Sequence, residues 1–374
     1  MSRHALLSPS SSSRWTMCPP SARLCADIED KASVFAAEGT EAHTLCEFKV
    51  NKALGLAAED PTPTLQYYSE EMETCAEEYA AFVLETLQKE KDAGKDPLIL
   101  TEQRLDISTF VPECSGTGDC VIIADKSLHI IDFKYGKGVS VSAEQNTQMM
   151  LYALGALEMF GPLYEVDEVS MTVFQPRLAN ISTFTLSKEE LTTWAVSYLK
   201  PRAELAFRGE GEFCSGPHCK FCKVKATCRK RAEENLELAR YEFTEPVLLS
   251  DEEIADILTK ADELASWVSD IKGYGLSVLS RGGTLKGFKL VEGRSVRQYT
   301  DEESVAKTVS EAGFDPYAHK VLGITAMTEL LGRSRFNEIL GSFIYKPKGK
   351  PTLVPESDKR PAITINDFDD MEEK

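Results

Sequence analysis

The chain has 374 residues, 42% of them hydrophobic and 27% charged, and carries a formal net charge of −18. That is enough length and apolar content for two domains with a real core, and no apolar run approaches the roughly 18–20 residues of a membrane span. The acidic balance excludes indiscriminate coating of nucleic acid, because phosphate binding needs positive potential, yet it suits an enzyme whose carboxylates gather metal ions.

The start, Met1-Ser2-Arg3-His4-Ala5-Leu6-Leu7, leads into serines without an apolar h-region, which predicts a cytoplasmic chain without a signal peptide. The serines of 8–13 cap a short helix that must stop at Cys18, because Pro19 and Pro20 follow. Apolar periodicity predicts helices over 31–55 and 66–93, the second ending at Gly94 behind a lysine-rich last turn. Strands are expected at 97–105, 120–124 and 128–134, a helix at 142–159, and two further strands at 166–175 and 181–185. Ser187 followed by Glu190 reads as a capping box that opens a helix running to about 208. Helices, three strands, a helix and two strands make an α/β layer arrangement with a mixed sheet.

Beyond 209 a segment rich in glycine and cysteine interrupts the pattern. Ser250 and Glu253 then cap a long helix to Leu279, a hairpin is expected over Leu285–Val291 and Ser295–Tyr299, and helices over 301–312 and 324–343 follow. The expected division is 1–235, a helical and hairpin accessory part at 245–345, and an acidic disordered tail at 346–374.

The stretch from Gly116 to Tyr152 concentrates the chemistry. Gly116-Thr117-Gly118-Asp119 precedes one apolar strand, and the next strand ends in Asp132-Phe133-Lys134. Strand alternation points Asp132 and Lys134 to one face and Phe133 into the core, and hairpin pairing brings Asp119 beside them. Carboxylates that hold Mg²⁺ or Mn²⁺ beside a scissile phosphate activate water and offset leaving-group charge, while a neighbouring ammonium can orient that water or neutralise the phosphate.

These residues, with His43 ahead of them and Gln148-x-x-x-Tyr152 behind, resemble the PD-(D/E)xK nuclease superfamily, and more closely its RecB-like branch with an iron–sulfur cluster. The resemblance implies a restriction-endonuclease-like αβββαβ core flanked by helices, with a mainly helical C-terminal extension. It makes His43, Asp119 and Asp132 metal ligands, assisted by the Phe133 carbonyl, and Lys134 the catalytic lysine. Gln148 and Tyr152 would position that lysine or the DNA strand, and Glu102 is a weaker candidate for a supporting or second-metal role. The activity implied is metal-dependent DNA exonuclease. The alternative is a non-catalytic DNA-binding or adaptor protein that keeps the fold and its iron–sulfur or zinc site.

Four of the ten cysteines crowd into Cys214, Cys219, Cys222 and Cys228. A Cys-x-x-Cys with further cysteines nearby converges thiolates on one metal, either zinc, with His218 as a substitute ligand, or an iron–sulfur cluster. The same resemblance assigns a [4Fe–4S] cluster to Cys18, Cys219, Cys222 and Cys228, joining the N-terminal segment to the far side of the core and leaving Cys214 over. Lys220, Lys223, Lys225, Arg229, Lys230 and Arg231 form the most basic run and read as a phosphate-contacting patch. Smaller basic groups at 293–297 and 332–335 would suit backbone phosphates. The whole chain resembles a family of uncharacterised phage and prophage proteins, which implies a role in phage DNA recombination or replication beside a single-strand-binding or annealing partner.

Overall fold

The structure is a computed structural model that describes residues 5–29, 33–237, 250–291, 301–314, 316–317 and 321–345. Two compact units divide the chain, Met1–Gly275 and Leu276–Lys374. Among the described residues no helix is long and apolar enough to cross a membrane.

The first unit opens with two short helices, α1 (Ser12–Met17) and α2 (Ser21–Ala26). Cys18 caps the first, where the two prolines forbid its continuation. Two long helices follow, α3 (Val34–Ala53) and α4 (Glu70–Asp92), whose first turns are fixed by Ser33 and Ser69 accepting from backbone amides. Strands β1 (Leu98–Asp106), β2 (Ser115–Ala124) and β3 (Lys126–Phe133) run as antiparallel neighbours. Helix α5 (Thr147–Phe160) then crosses over the sheet, so β4 (Val166–Gln175) lies parallel to β3, and β5 (Asn180–Ser187) closes the sheet antiparallel to β4. The result is a five-stranded mixed sheet in the order β1-β2-β3-β4-β5, in the αβββαβ order expected.

Period-2 alternation sends Cys120, Ile122, Ile131 and Phe133 into a core under α3 and α4, built with Leu45, Met72, Tyr79 and Val83. Val121, Ile123, Leu128 and Ile130 fill the opposite core under α5, joined by Trp15 from α1. The Ser187–Glu190 capping box is formed and opens α6 (Lys188–Trp194). That helix passes through a π turn at Ala195–Leu199 into α7 (Lys200–Arg208). The N-terminal segment is tied to this helix: Arg202 Nη1 donates to Thr16 O at 2.8 Å and Arg23 Nε to Phe207 O at 2.6 Å.

After the cysteine segment come α8 (Arg229–Leu236) and most of α9 (Asp251–Ser280). Ser250 and Glu253 exchange hydrogen bonds at the start of α9, the reciprocal pattern expected from sequence. In the second unit, α10 (Glu302–Glu311), α11 (Ile324–Leu331) and α12 (Arg333–Leu340) follow, and the single helix expected over 324–343 is broken at Gly332. The strand expected at Leu285–Val291 is a correction: among the described residues this stretch holds a tight turn with an isolated bridge from Leu285 to Phe288. Its expected partner strand at 295–299, the basic group at 293–297 and the tail at 346–374 lie outside the described residues.

Candidate active site

The site forms where two β ladders are interrupted at the same level. Pairing of β1 with β2 runs through Thr101–Cys120 and resumes at Gln103–Gly118, skipping Glu102 and Asp119, which face each other. Pairing of β2 with β3 stops at Cys120–Ile131, so Asp119 and Asp132 are the next facing positions. Glu102, Asp119 and Asp132 therefore occupy one row across three adjacent strands. Glu102 adopts a left-handed backbone at φ 46°, a conformation that costs a non-glycine residue about 1–3 kcal/mol. Side-chain alternation slips there: Thr101 bonds Asn51 of α3, whereas Leu105 packs in the α5 core.

The slip turns two carboxylates toward α3. His43 Nδ1 lies 3.3 Å from Asp119 Oδ2, and ligand atoms of His43, Glu102 and Asp119 all fall within 4.8 Å of one another. Asp119 Oδ2 also accepts from Phe133 N at 2.7 Å, replacing the ladder bond lost where the strands part. The Phe133 ring packs edge-on between His43 and Tyr79, fixing the imidazole.

The second half of the site lies toward α5. Lys134 Nζ is 2.8 Å from Asp132 Oδ2 and donates to Gln148 Oε1 at 3.2 Å. Gln148 Nε2 in turn reaches Tyr152 OH at 3.2 Å and Asp132 Oδ1 at 3.5 Å. Asn146 caps α5 by accepting from the amides of Gln148 and Met149, so the glutamine sits in the rigid first turn. Asp132 is only 2% exposed.

Electrostatics follow from this crowding. Burial pushes the Glu102 carboxyl up to about 7, with the Asp119 charge adding to it. Burial likewise raises Asp132, reinforced by Asp119 and opposed by Lys134. For His43 and Lys134 burial favours the neutral forms, but the neighbouring Asp119 and Asp132 carboxylates outweigh it and both end above their ordinary values. Carboxylates gathered this closely beside an imidazole have the donor chemistry that could hold a divalent cation. Asp132 Oδ2 is buried beside the Lys134 ammonium, 2.8 Å away.

All the sequence-expected residues His43, Asp119, Asp132, Phe133, Lys134, Gln148 and Tyr152 thus come to one end of the sheet. The closest-set ligand atoms belong to His43, Glu102 and Asp119, which moves Glu102 forward from the margin, while Asp132 is engaged by Lys134 and Gln148. No sequence signal marks Glu102 beyond a carboxylate on the strand before Asp119.

A second constellation lies around the cysteines. Cys18, Cys214, Cys219, Cys222 and Cys228 line one small cavity with Arg14, Ser21 and His218. His218 Nε2 is 2.9 Å from Cys214 O. Cys25, to which sequence assigned no role, places its sulfur 3.8 Å from that of Cys222. Its only mark in sequence is a position seven residues after Cys18.

The basic run is a different matter. Lys225 and Arg231 bind Asp270 of α9, Arg231 also binds Glu263, and Lys230 pairs with Glu234. Arg231, 1% exposed, is a buried clamp between α8 and α9. Of the six basic residues expected to form a phosphate patch, Lys225 and Arg231 are thus paired with acids from α9 and Lys230 with one of its own helix.

Among solved structures, one titled "Crystal structure of SSO0001" is 14% identical over 51% of this chain and 98% of that chain, with a TM-score of 0.21. A TM-score of that size does not define a shared fold. The family described as "Protein of unknown function (DUF2800)" matches residues 4–361. With nearly its whole length matched, from the N-terminal helices through the carboxylate row and the cysteines to the second unit, the chain belongs to that family.

Proposed function

We propose that this chain is a divalent-cation-dependent DNA exonuclease of the RecB-like PD-(D/E)xK type, acting on DNA in the cytoplasm in phage or prophage recombination or replication. The observation that carries the reading is the row Glu102–Asp119–Asp132, flanked by His43 on one side and by Lys134 held on Gln148 on the other. His43, Asp119 and Glu102 would hold the cation, with Asp132 facing it from the next strand. When bound, a Mg²⁺ or Mn²⁺ ion lowers the pKa of a water and offsets charge on the scissile phosphate.

Lys134 is held as a cation by Asp132, so it donates hydrogen bonds to a phosphate oxygen or to the attacking water rather than accepting a proton. Gln148, braced by Tyr152, fixes the direction in which that ammonium points. Phe133 N anchors Asp119 so that its carboxylate cannot rotate away when the strands part.

The cysteines support a metal–thiolate centre in the same unit. A zinc ion at about 2.3 Å from tetrahedral sulfurs sets them about 3.8 Å apart. The sulfurs of Cys25 and Cys222 stand at that spacing, but among the described residues no three cysteine ligand atoms converge within 4.8 Å. Wider spacing around a shared cavity favours a [4Fe–4S] cluster, with Cys18, Cys219, Cys222 and Cys228 as its ligands.

End-labelled DNA incubated with the chain and Mn²⁺ is the direct test. Lys134→Ala is expected to reduce the rate about 10²–10³-fold, as for loss of one donor to developing charge, and Asp132→Ala at least as much. Both variants should keep the wild-type circular dichroism spectrum. Equal rates in wild type and both variants would remove the site from consideration, and DNA retention without turnover would leave a binding protein.

A further inference from the structure

Arg14 lies on α1 and is only 9% exposed. Its guanidinium donates through Nη1 to Ser21 O at 2.7 Å and to Ser21 Oγ at 3.1 Å. Among the described residues no carboxylate pairs with it. Such isolation is unusual, because a buried charge without a counter-charge is destabilising and is ordinarily paired or lost. Arginine cannot take the second course, since it stays protonated in proteins.

The cavity that Arg14 lines identifies the missing anion. Its other walls include Cys18, Cys214, Cys219, Cys222 and Cys228. The remaining permanent cation on that wall, Lys225, is satisfied by Asp270 at 2.9 Å and by Lys220 O at 3.2 Å. Four thiolates around iron–sulfur or zinc carry net negative charge, and in a cavity lined by apolar surface that charge needs compensation at short range. Ser21 takes one nitrogen of the guanidinium, Nη1, through both its carbonyl and its hydroxyl oxygen.

We propose that Arg14 is the buried counter-cation of an anionic metal–thiolate centre in this cavity, stabilising the centre's charge and, in an iron–sulfur cluster, its reduced form. This rests on reading the cysteines as a metal site, and the test separates the two. The full chain is reconstituted anaerobically with iron and sulfide, and with zinc in parallel. Arg14→Gln keeps a donor for Ser21 and removes the charge, while Ser21→Ala removes the Oγ acceptor and keeps the charge.

With iron bound, R14Q is expected to show a more negative midpoint potential and to bleach in air about tenfold faster or more, the usual scale for groups supporting metal ligands. Ser21→Ala should keep both close to wild type. If R14Q binds iron and matches wild type in potential and bleaching, the assignment of Arg14 is wrong while the cluster stands. If the chain takes zinc instead, the iron reading falls, and Arg14 is judged by zinc release to a chelator: about tenfold faster in R14Q supports it, an unchanged rate overturns it. A chain that holds neither metal overturns both. Should R14Q not fold, Arg14→Lys decides. A charge role predicts a near wild-type midpoint or zinc-release rate, whereas a purely structural role of the guanidinium fork predicts loss of the centre.

Discussion

Glu102 shows how much a single backbone angle accomplishes in this molecule. A glutamate in ordinary strand geometry would stay in the pleat; at φ 46° it leaves the ladder and converges with Asp119 and His43. Strain of this kind persists only where the surrounding structure holds it in place. Glu102→Gly and Glu102→Ala both delete the carboxylate, but only glycine enters the left-handed region freely. The glycine variant is therefore expected to be more stable than the alanine variant by about 1 kcal/mol, measured by urea unfolding, while both bind Mn²⁺ more weakly than wild type. Alanine as the more stable of the two would mean that the angle carries no strain. His129 gives a second prediction. It is half-buried on β3 with Nε2 2.7 Å from Thr172 Oγ1, and desolvation lowers its pKa from 6.5 to about 4. Between those values the unfolded chain binds a proton that the folded chain refuses, so stability is complete above pH 6.5 and declines as pH falls toward 4, by up to about 3 kcal/mol. Unfolding free energies from pH 7.5 to 4 should show this slope, and His129→Asn should flatten it. The residue scale was also where sequence was least informative. Asp132, Lys134 and Phe133 were readable because alternation assigns their faces, but a left-handed glutamate leaves no trace in composition.

At the scale of elements, the site depends on how closely α5 approaches the sheet. Gly116 on β2 makes this possible, since a Cβ there would stand 2.8 Å from both Tyr152 Cε1 and Pro9 Cγ. The run Gly116-Thr117-Gly118-Asp119 is thus more than a turn before an aspartate, because its first glycine admits the ring that braces Gln148. Gly116→Ala should push Tyr152 aside and lower the proposed nuclease activity about tenfold or more, as misplacement of a supporting group does, with Mn²⁺ affinity unchanged. A parallel fall in Mn²⁺ affinity would place its effect on the metal ligands instead. Most elements were legible in the sequence: strand alternation, the capping boxes at Ser187 and Ser250, and the proline stop at Cys18 are local signals. What escaped was long-range. Within the basic run at 220–231, Lys225 and Arg231 are taken up by Asp270 and Glu263, whose arrival from α9 no local pattern announces. Over Leu285–Val291 the described residues form a tight turn bridged from Leu285 to Phe288, which the apolar pattern did not announce.

Across the first unit, α1 and α2 are joined to the segment 214–228 by the shared cysteine cavity. A metal–thiolate centre linking Cys18 to Cys228 would close a loop of about 200 residues, worth up to about 5 kcal/mol on a chain-entropy estimate. Stripping the metal with a chelator should therefore lower the melting temperature and expose amides of 12–26 and 217–236 to hydrogen exchange first, while β2 and β3 stay protected. Uniform loss of protection would show instead that the sheet itself depends on the centre. The sulfur of Cys25 reaching that of Cys222 across 197 residues of chain also imposes an order of events. Hairpins β1–β2–β3 join near neighbours and can form as soon as they leave the ribosome, but the N-terminal cysteines meet their partners only after residue 228 has emerged. Until then the thiols of Cys18 and Cys25 wait on a growing chain, open to oxidation or to stray metal. Filling the proposed centre would therefore be a late step of biosynthesis, and the yield of intact protein should follow the cell's supply of metal and reductant at that moment more than the speed at which the sheet folds.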